Sequence, residues 1–180
     1  MDINWLPGGP YYEVSFIVIN KYAKETELNN LINKFNLLNY KIEMYENNLE
    51  NKIETFCNKS NVQMELNVFI NICGNQRAKI YIEYLSDEII QIDFCFLEEK
   101  LNKGKMNRLR SLLNDLMKLY DGIVGIIGCE IDCSTALFET KETYPHKDYS
   151  IKNLKHYTNE DIENNTEWLN GIEEIIWKNK

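Results

Sequence analysis

Apolar and polar residues alternate most regularly in the middle of the chain. Apolar residues occupy every second position from Met64 to Ile72 and again from Ile90 to Phe96, and a third run extends from Lys79 to Leu85. The turn-forming pairs Gly74-Asn75 and Ser86-Asp87 separate the three runs. A period of two is typical of strands, and short turns favour antiparallel neighbours. The pattern predicts a three-stranded antiparallel meander with one apolar face and one mixed face.

Two segments have helical periodicity. Glu25 to Asn39 and Lys105 to Tyr120 each carry apolar residues three and four positions apart, which is the spacing of one helical stripe. These stripes consist of Leu28, Leu31, Ile32, Phe35 and Leu38 in the first segment and of Leu109, Leu112, Leu113, Leu116 and Tyr120 in the second. Both segments are therefore expected to pack on the apolar face of the sheet.

The weaker patterns complete the predicted element order. Tyr11 to Asn20 and Gly122 to Asp132 are predicted to form strands, Lys41 to Glu46 a short strand, and Asn48 to Cys57 a helix. The remaining segments are a turn-rich lead-in (1–10), an extended or looped segment (134–157) and a C-terminal helix (158–178).

Helices that flank an antiparallel run of strands are typical of α+β folds, and regular βα alternation is missing. We therefore expect an α+β fold with a mostly antiparallel sheet and a central three-stranded meander. Its helices are expected mainly on one face, with the C-terminal helix docked on the domain. The whole chain, 1–180, is expected to form a single domain, since no linker-like segment divides it.

Charge narrows the classes of partner. The 180 residues contain 20 Lys and Arg against 28 Asp and Glu, a net charge of −8. Nucleic-acid binding needs clustered positive charge, so a nucleic-acid partner is not expected. The abundance of Asn, Ile and Lys, residues with A/T-rich codons, favours a low-G+C genome such as a bacterial one.

Location is predicted from cysteines and apolar runs. The five cysteines are an odd number without a C-x-x-C pair, which favours a reducing compartment. Neither a signal-peptide pattern nor an apolar run long enough for a membrane helix is visible, so a cytoplasmic protein without a membrane partner is expected.

Few residues indicate a catalytic, cofactor-binding or metal-binding site. No phosphate-binding glycine loop, nucleophile elbow or zinc-protease motif occurs, and neither a metal nor a cofactor is expected. The strongest cluster is Cys129 to Cys133, where Glu130 and Asp132 would share one face if the strand continued. With Cys133 and His146 they define an alternative pocket for an enzyme or a small-molecule or metal-binding domain. The alternative interpretation of the two acids is that they mark where a strand reaches solvent.

The leading hypothesis is a small acidic module without catalysis that binds another, basic protein, as immunity or antitoxin-like proteins do. An acidic surface with tyrosines suits such a partner because complementary charge speeds association. The expected contact residues are solvent-facing acids and two tyrosines of the meander: Glu83, Asp87, Glu88, Asp93, Glu98, Glu99, Tyr81 and Tyr84. A second alternative is a structural homodimer formed through the C-terminal helix, so both a monomer and a homodimer remain open.

Overall fold

A computed structural model describes seven stretches of the chain, namely residues 11–45, 48–59, 62–72, 74–97, 102–138, 149–154 and 171–178. The strands in these stretches are β1 (Tyr11–Ile19), β2 (Glu43–Met44), β3 (Gln63–Asn71), β4 (Asn75–Tyr84), β5 (Ile89–Leu97), β6 (Val124–Cys129) and β7 (Ile172–Trp177). The helices are α1 (Lys24–Phe35), α2 (Leu49–Asn58), α3 (Lys103–Tyr120) and α4 (Cys133–Phe138), with a 3-10 turn at Ile151–Asn153.

The strands form one antiparallel sheet in the order β2-β3-β4-β5-β1-β6-β7. The predicted meander is confirmed as β3, β4 and β5, which are consecutive both in the chain and in the sheet. The N-terminal strand β1 lies between β5 and β6 and is hydrogen-bonded along both edges. A strand in that central position has both faces available for packing, which accounts for its nearly continuous apolar sequence.

Three helices cover one face of the sheet. The apolar stripes of α1 and α3 and the apolar side of α2 pack against the even-numbered residues of β1, β3, β4 and β5. Phe35 of α1 meets Phe94 of β5 edge to face, with ring centroids 5.6 Å apart. The Tyr120 hydroxyl at the end of α3 donates a hydrogen bond of 2.5 Å to the Leu31 carbonyl. The predicted α+β class, with helices mainly on one face, is therefore confirmed.

The fourth helix covers part of the opposite face. The α4 residues Cys133, Ala136, Leu137 and Phe138 are fully buried against a second apolar cluster on β1 and β6. We call this side of the sheet, opposite α1, α2 and α3, the outer face. Its residues are the odd-numbered positions of β1, β3, β4 and β5.

The C-terminal helix predicted for 158–178 is wrong where the structure describes it. Residues Ile172–Trp177 form β7, which pairs antiparallel with β6 from Val124 to Gly128. The spacing of Ile172, Ile175 and Ile176 resembles a helical stripe, but pairing with β6 satisfies the backbone groups at that edge of the sheet. Residues 158–170 lie outside the described part of the chain.

The strand predicted to reach Asp132 is also too long. It ends at Cys129, and Glu130 adopts a left-handed conformation with φ 55°. The segment predicted as extended or looped (134–157) begins instead within α4, because Asp132 caps the amino end of that helix. Residues 1–10, 139–148 and 155–157 lie outside the described stretches.

Candidate functional site

A buried polar network joins the outer face to the amino end of α4. The Ser15 hydroxyl of β1 donates a hydrogen bond of 2.5 Å to Asp93 Oδ1 of β5 and accepts one of 2.9 Å from the Cys133 backbone N–H. Gln91 Nε2 donates to Asp93 Oδ2 at 3.0 Å, and Gln91 Oε1 accepts from the Ser134 N–H at 2.6 Å. Two of the N–H groups that a helix leaves unpaired are thus satisfied by strand side chains.

Asp93 is the buried carboxyl group of this network. Only 4% of the residue is exposed. Burial raises its pKa well above the ordinary value, and the charge of Asp132 raises it further, while the hydrogen bonds from Ser15 and Gln91 oppose the shift. The neutral form of Asp93 is therefore strongly favoured relative to an aspartate in water.

Asp132 is the centre of a group of like charges. Its Oδ1 accepts hydrogen bonds from the Thr135 N–H at 2.8 Å and from the Ser134 hydroxyl at 2.9 Å, an N-cap arrangement. The capping geometry fixes this carboxylate above the outer face. Its charge raises the pKa values of Glu13 and Glu83 on the neighbouring strands.

Glu13 titrates in the neutral range. Burial is the largest cause that raises its pKa, to about 7, followed by the charge of Asp132, with a smaller contribution from Glu130. The Cys95 thiol contacts Glu13 Oε1 at 3.7 Å and opposes the shift. The pKa of Glu83 is also raised, first by burial and then by Asp132. Carboxyl groups whose ionisation is disfavoured by burial and by a shared neighbouring carboxylate are typical of binding and catalytic sites.

A small cavity opens beside Glu13. It has a volume of about 130 Å³ and is lined by Tyr11, Glu13, Lys79, Tyr81 and Cys95. The Lys79 ammonium lies 3.0 Å from a carboxylate oxygen of Glu65 on β3. Burial and the adjacent Glu65 charge raise the pKa of the Tyr81 hydroxyl, which therefore remains protonated near neutral pH. The cavity thus combines two tyrosines with one acidic and one basic group.

The residues predicted to form an acidic contact surface do not all lie on one surface. Asp93 was expected to face solvent, but it is buried because its side chain joins the network under α4. Asp87 and Glu88 are exposed in the turn between β4 and β5, and Glu83 is half-buried on the outer face. Glu98 and Glu99 lie outside the described residues.

The two predicted tyrosines lie on opposite faces of β4. Tyr81 belongs to the outer face and packs near Cys95. Tyr84 faces the helices, where its hydroxyl donates to the Lys24 carbonyl at 3.1 Å and its ring lies 6.2 Å from that of Phe56. The outer face therefore includes Tyr81 and excludes Tyr84.

The alternative pocket does not have the predicted geometry. Glu130 and Asp132 do not share a strand face, because the strand ends before them and Asp132 caps α4. Cys133 is fully buried, and burial raises the pKa of its thiol, which disfavours the nucleophilic thiolate. His146 lies outside the described residues. Within the described stretches, no group of three or more His, Cys, Asp and Glu side chains is placed to hold a metal ion.

Sequence reasoning missed Glu13, Ser15, Gln91 and Cys95 as site residues. The signal that could have found them is the position of polar residues in strands that are otherwise apolar on both faces. In β1 and β5 such residues recur at every second position, so they face one another across a single pair of strands. Polar groups in a buried strand pair need partners, which points to a shared network.

Comparisons with known proteins add one structural similarity. No protein-family model and no curated protein sequence matches this chain. One similar solved chain comes from the crystal structure of the toxic C-terminal tip of CdiA from Pseudomonas aeruginosa in complex with immune protein. The two chains share 14% identity, the similarity covers 67% of this chain and 86% of the other, and the TM-score is 0.42. A TM-score of this size does not define a common fold. Separately, none of the helices in the described stretches is long and apolar enough to cross a membrane.

Proposed function

We propose that this chain is a protein-binding module that receives a basic surface of another protein on its outer face. The observation that carries the proposal is the grouping of Glu13, Glu83 and Asp132. All the charged groups that shift the pKa values of Glu13 and Glu83 are carboxylates, namely Asp132 and, for Glu13, also Glu130. A positively charged partner would relieve this repulsion, whereas an acidic partner would increase it.

The long-range field supports a basic partner as well. The chain carries a net charge of −8, so a basic protein is attracted before contact and a nucleic acid is repelled. Complementary charges raise association rates most strongly at low ionic strength. Binding through the outer face should therefore weaken as salt is added.

Partly exposed aromatic rings lie on the outer face near Glu13. Tyr11, Phe69 and Tyr81 pack around Cys95 on the outer face. Tyr45, which is 50% exposed, meets the Phe69 ring edge to face at 6.0 Å. Aromatic residues are enriched in protein interfaces because they bury large areas at low cost in conformational entropy. The outer face thus offers both charge and contact area to a protein partner.

The most specific form of the proposal is an immunity or antitoxin-like protein of a bacterial cytoplasm that blocks a basic toxin. The acidity of the chain and the burial of Cys133 support a role in binding rather than catalysis. Dimerisation through a C-terminal helix is not proposed, because Ile172–Trp177 is a strand paired with β6.

Capture by tagged variants tests the general role. The tagged chain is incubated with lysate of its source cells at low salt, and Glu83→Lys is compared with the control Glu54→Lys. Glu54 is exposed on α2, away from the outer face, and carries the same charge. Wild type and control are expected to retain one basic protein in near-stoichiometric amount, and Glu83→Lys at least tenfold less. Equal capture by all three, or capture only of acidic proteins, would contradict the proposal.

The toxin-blocking role has a separate test. The captured protein is expressed in a bacterial host with and without this chain. Growth arrest that the wild-type chain relieves and Glu83→Lys does not would support an immunity role. A partner that leaves growth unaffected would exclude that role and keep the binding function.

A further inference from the structure

The cavity beside Glu13 is too small for a typical small-molecule ligand. Its volume is about 130 Å³, whereas ligand and cofactor sites usually enclose roughly 300–1,000 Å³. A single side-chain head group is an occupant of suitable size. Among its lining residues, Tyr11, Tyr81 and Glu13 combine aromatic and acidic groups.

The charge in this cavity favours a cationic occupant. The Glu13 carboxylate contacts the Cys95 thiol through one oxygen, and the charges that raise its pKa are the negative Asp132 and Glu130. Lys79 also lines the cavity, but its ammonium is paired with Glu65 at 3.0 Å. Glu13 is thus left without a compensating positive charge among the described residues.

We propose, on the basis of the function proposed above, that the cavity receives the guanidinium group of one arginine of the basic partner, with Glu13 as its acceptor. Arginine fits better than lysine for two reasons. Its planar head group can donate two parallel N–H hydrogen bonds to the two oxygens of one carboxylate, and it stacks against aromatic rings such as those of Tyr11 and Tyr81. A lysine ammonium is more strongly hydrated and gains less from aromatic walls.

Arginine binding at Glu13 couples to a proton. A guanidinium beside the carboxyl group favours its ionised form, so binding below neutral pH releases a proton. The titratable and charged groups that line this cavity with Glu13 or are coupled to its charge come from every neighbouring element. They are Tyr11 on β1, Asp93 and Cys95 on β5, Lys79 and Tyr81 on β4, Cys129 on β6, Glu130 and Asp132 before α4, and Cys133 in α4. Cys95 and Tyr81 both have raised pKa values and stay neutral between pH 6 and 8.

Three short peptides test the chemistry directly. The probes are Gly-Arg-Gly-Arg-Gly amide and its lysine and citrulline counterparts, titrated at pH 8 into the 15N-labelled full chain and followed by NMR. The arginine peptide is expected to shift the amide signals of Glu13, Tyr81 and Cys95 and to bind at least fivefold more tightly than the other two. Citrulline keeps the shape and removes the charge. Equal binding of citrulline would overturn charge recognition, and equal binding of lysine would overturn the arginine assignment.

Glu13→Gln separates this contact from general attraction to an acidic protein. The variant keeps the size of the side chain, and Glu54→Gln on α2 is the control with the same change in net charge. Glu13→Gln is expected to weaken the arginine peptide about tenfold at pH 8, and the control less than twofold. Since a carboxyl group with a pKa of about 7 is about nine-tenths ionised at pH 8 and about one-tenth at pH 6, wild-type affinity should fall about tenfold between these pH values. Affinity of Glu13→Gln that equals wild type would overturn the proposal.

Two outcomes distinguish the arginine pocket from the proposed protein-binding role. If the captured protein binds Glu13→Gln as tightly as wild type but loses Glu83→Lys, the arginine pocket is wrong and the binding role stands. If the arginine peptide binds at Glu13 but no basic protein is captured, the protein-binding role fails.

Discussion

The Ser15 hydroxyl donates a hydrogen bond to the Asp93 carboxyl group although the two residues are 78 positions apart in the chain. They are direct partners in the β1–β5 register, and both are buried. The same hydroxyl accepts the Cys133 N–H. Ser15 therefore connects the strand pair β1 and β5 to α4, the helix that Asp132 caps.

Removing that hydroxyl should loosen α4. Ser15→Ala leaves the Cys133 N–H and Asp93 without this partner, and an unsatisfied buried group costs about 1–3 kcal/mol. We expect the free energy of unfolding to fall by that amount in urea denaturation. The variant should also increase the rate of amide hydrogen exchange at Cys133 by a larger factor than the rates in β3 and β4. The control is Ser111→Ala, because Ser111 is exposed on α3. Unchanged exchange at Cys133 would contradict the role assigned to Ser15.

Asp93→Asn should stabilise the protein at alkaline pH. The pKa of Asp93 in the folded state lies well above its value of 3.8 in the unfolded chain, so wild type loses stability as pH rises above 3.8. Asparagine carries no such charge and can still accept from Gln91 and donate to Ser15. In contrast, Asp93→Leu leaves both partners unsatisfied and should cost about 2 kcal/mol or more. Thermal denaturation at pH 5 and pH 8 measures this effect. If Asp93→Asn loses as much stability as wild type between these two pH values, the raised pKa assigned to Asp93 is wrong.

Asp132 has two roles that substitutions can separate. Asparagine retains an N-cap, whereas alanine removes it at a cost of about 0.5–2 kcal/mol. We expect Asp132→Asn to leave stability nearly unchanged and to lower the pKa of Glu13 from about 7, because one repelling charge is removed. Side-chain carboxyl NMR titration measures the pKa. A pKa of Glu13 that does not move would show that Asp132 does not influence it.

Glu13→Gln should change how stability depends on pH. The pKa of Glu13 rises from 4.5 in the unfolded chain to about 7 in the folded protein. Its contribution to stability is therefore complete below pH 4.5 and is lost as pH rises to 7. The variant avoids this loss, so its advantage over wild type should grow across that window to at most about 3 kcal/mol. Urea denaturation from pH 4 to pH 8 measures the difference in the free energy of unfolding between the variant and wild type. A difference that stays constant over this range would show that Glu13 does not titrate there.

The meander and the long helices could be predicted from the sequence because their apolar residues follow a single period over many positions. The segment Ile172–Trp177 could not, since Ile172, Ile175 and Ile176 match a helical stripe while the β-branched residues and Trp177 favour a strand. Gly171 precedes this strand, and a Cβ at that position would clash with the Cys129 carbonyl oxygen, so the approach of the chain to β6 requires glycine there. Pairing with the edge of β6 favours the strand over the helix, and that edge exists only in the folded protein.

The candidate site was harder to predict than the fold. Asp93 alternates with apolar residues in β5 and so resembles a solvent-facing position, yet α4 covers it. That cover depends on the left-handed backbone conformation of Glu130, which no periodic pattern marks. Acidic residues could therefore be predicted as contact residues from the sequence. The grouping of Glu13, Glu83 and Asp132, however, follows only from the sheet order and the position of α4.

Zero-length carbodiimide cross-linking of the captured complex identifies the face that holds the partner, because it joins carboxylates to lysines in direct contact. If a basic partner binds the outer face, its lysines are expected to cross-link to Glu83 and Glu130, beside that face, and mass spectrometry should find these links lost at high salt. Links confined to Glu50 and Glu54 on α2, with none to the outer face, would contradict binding at that face.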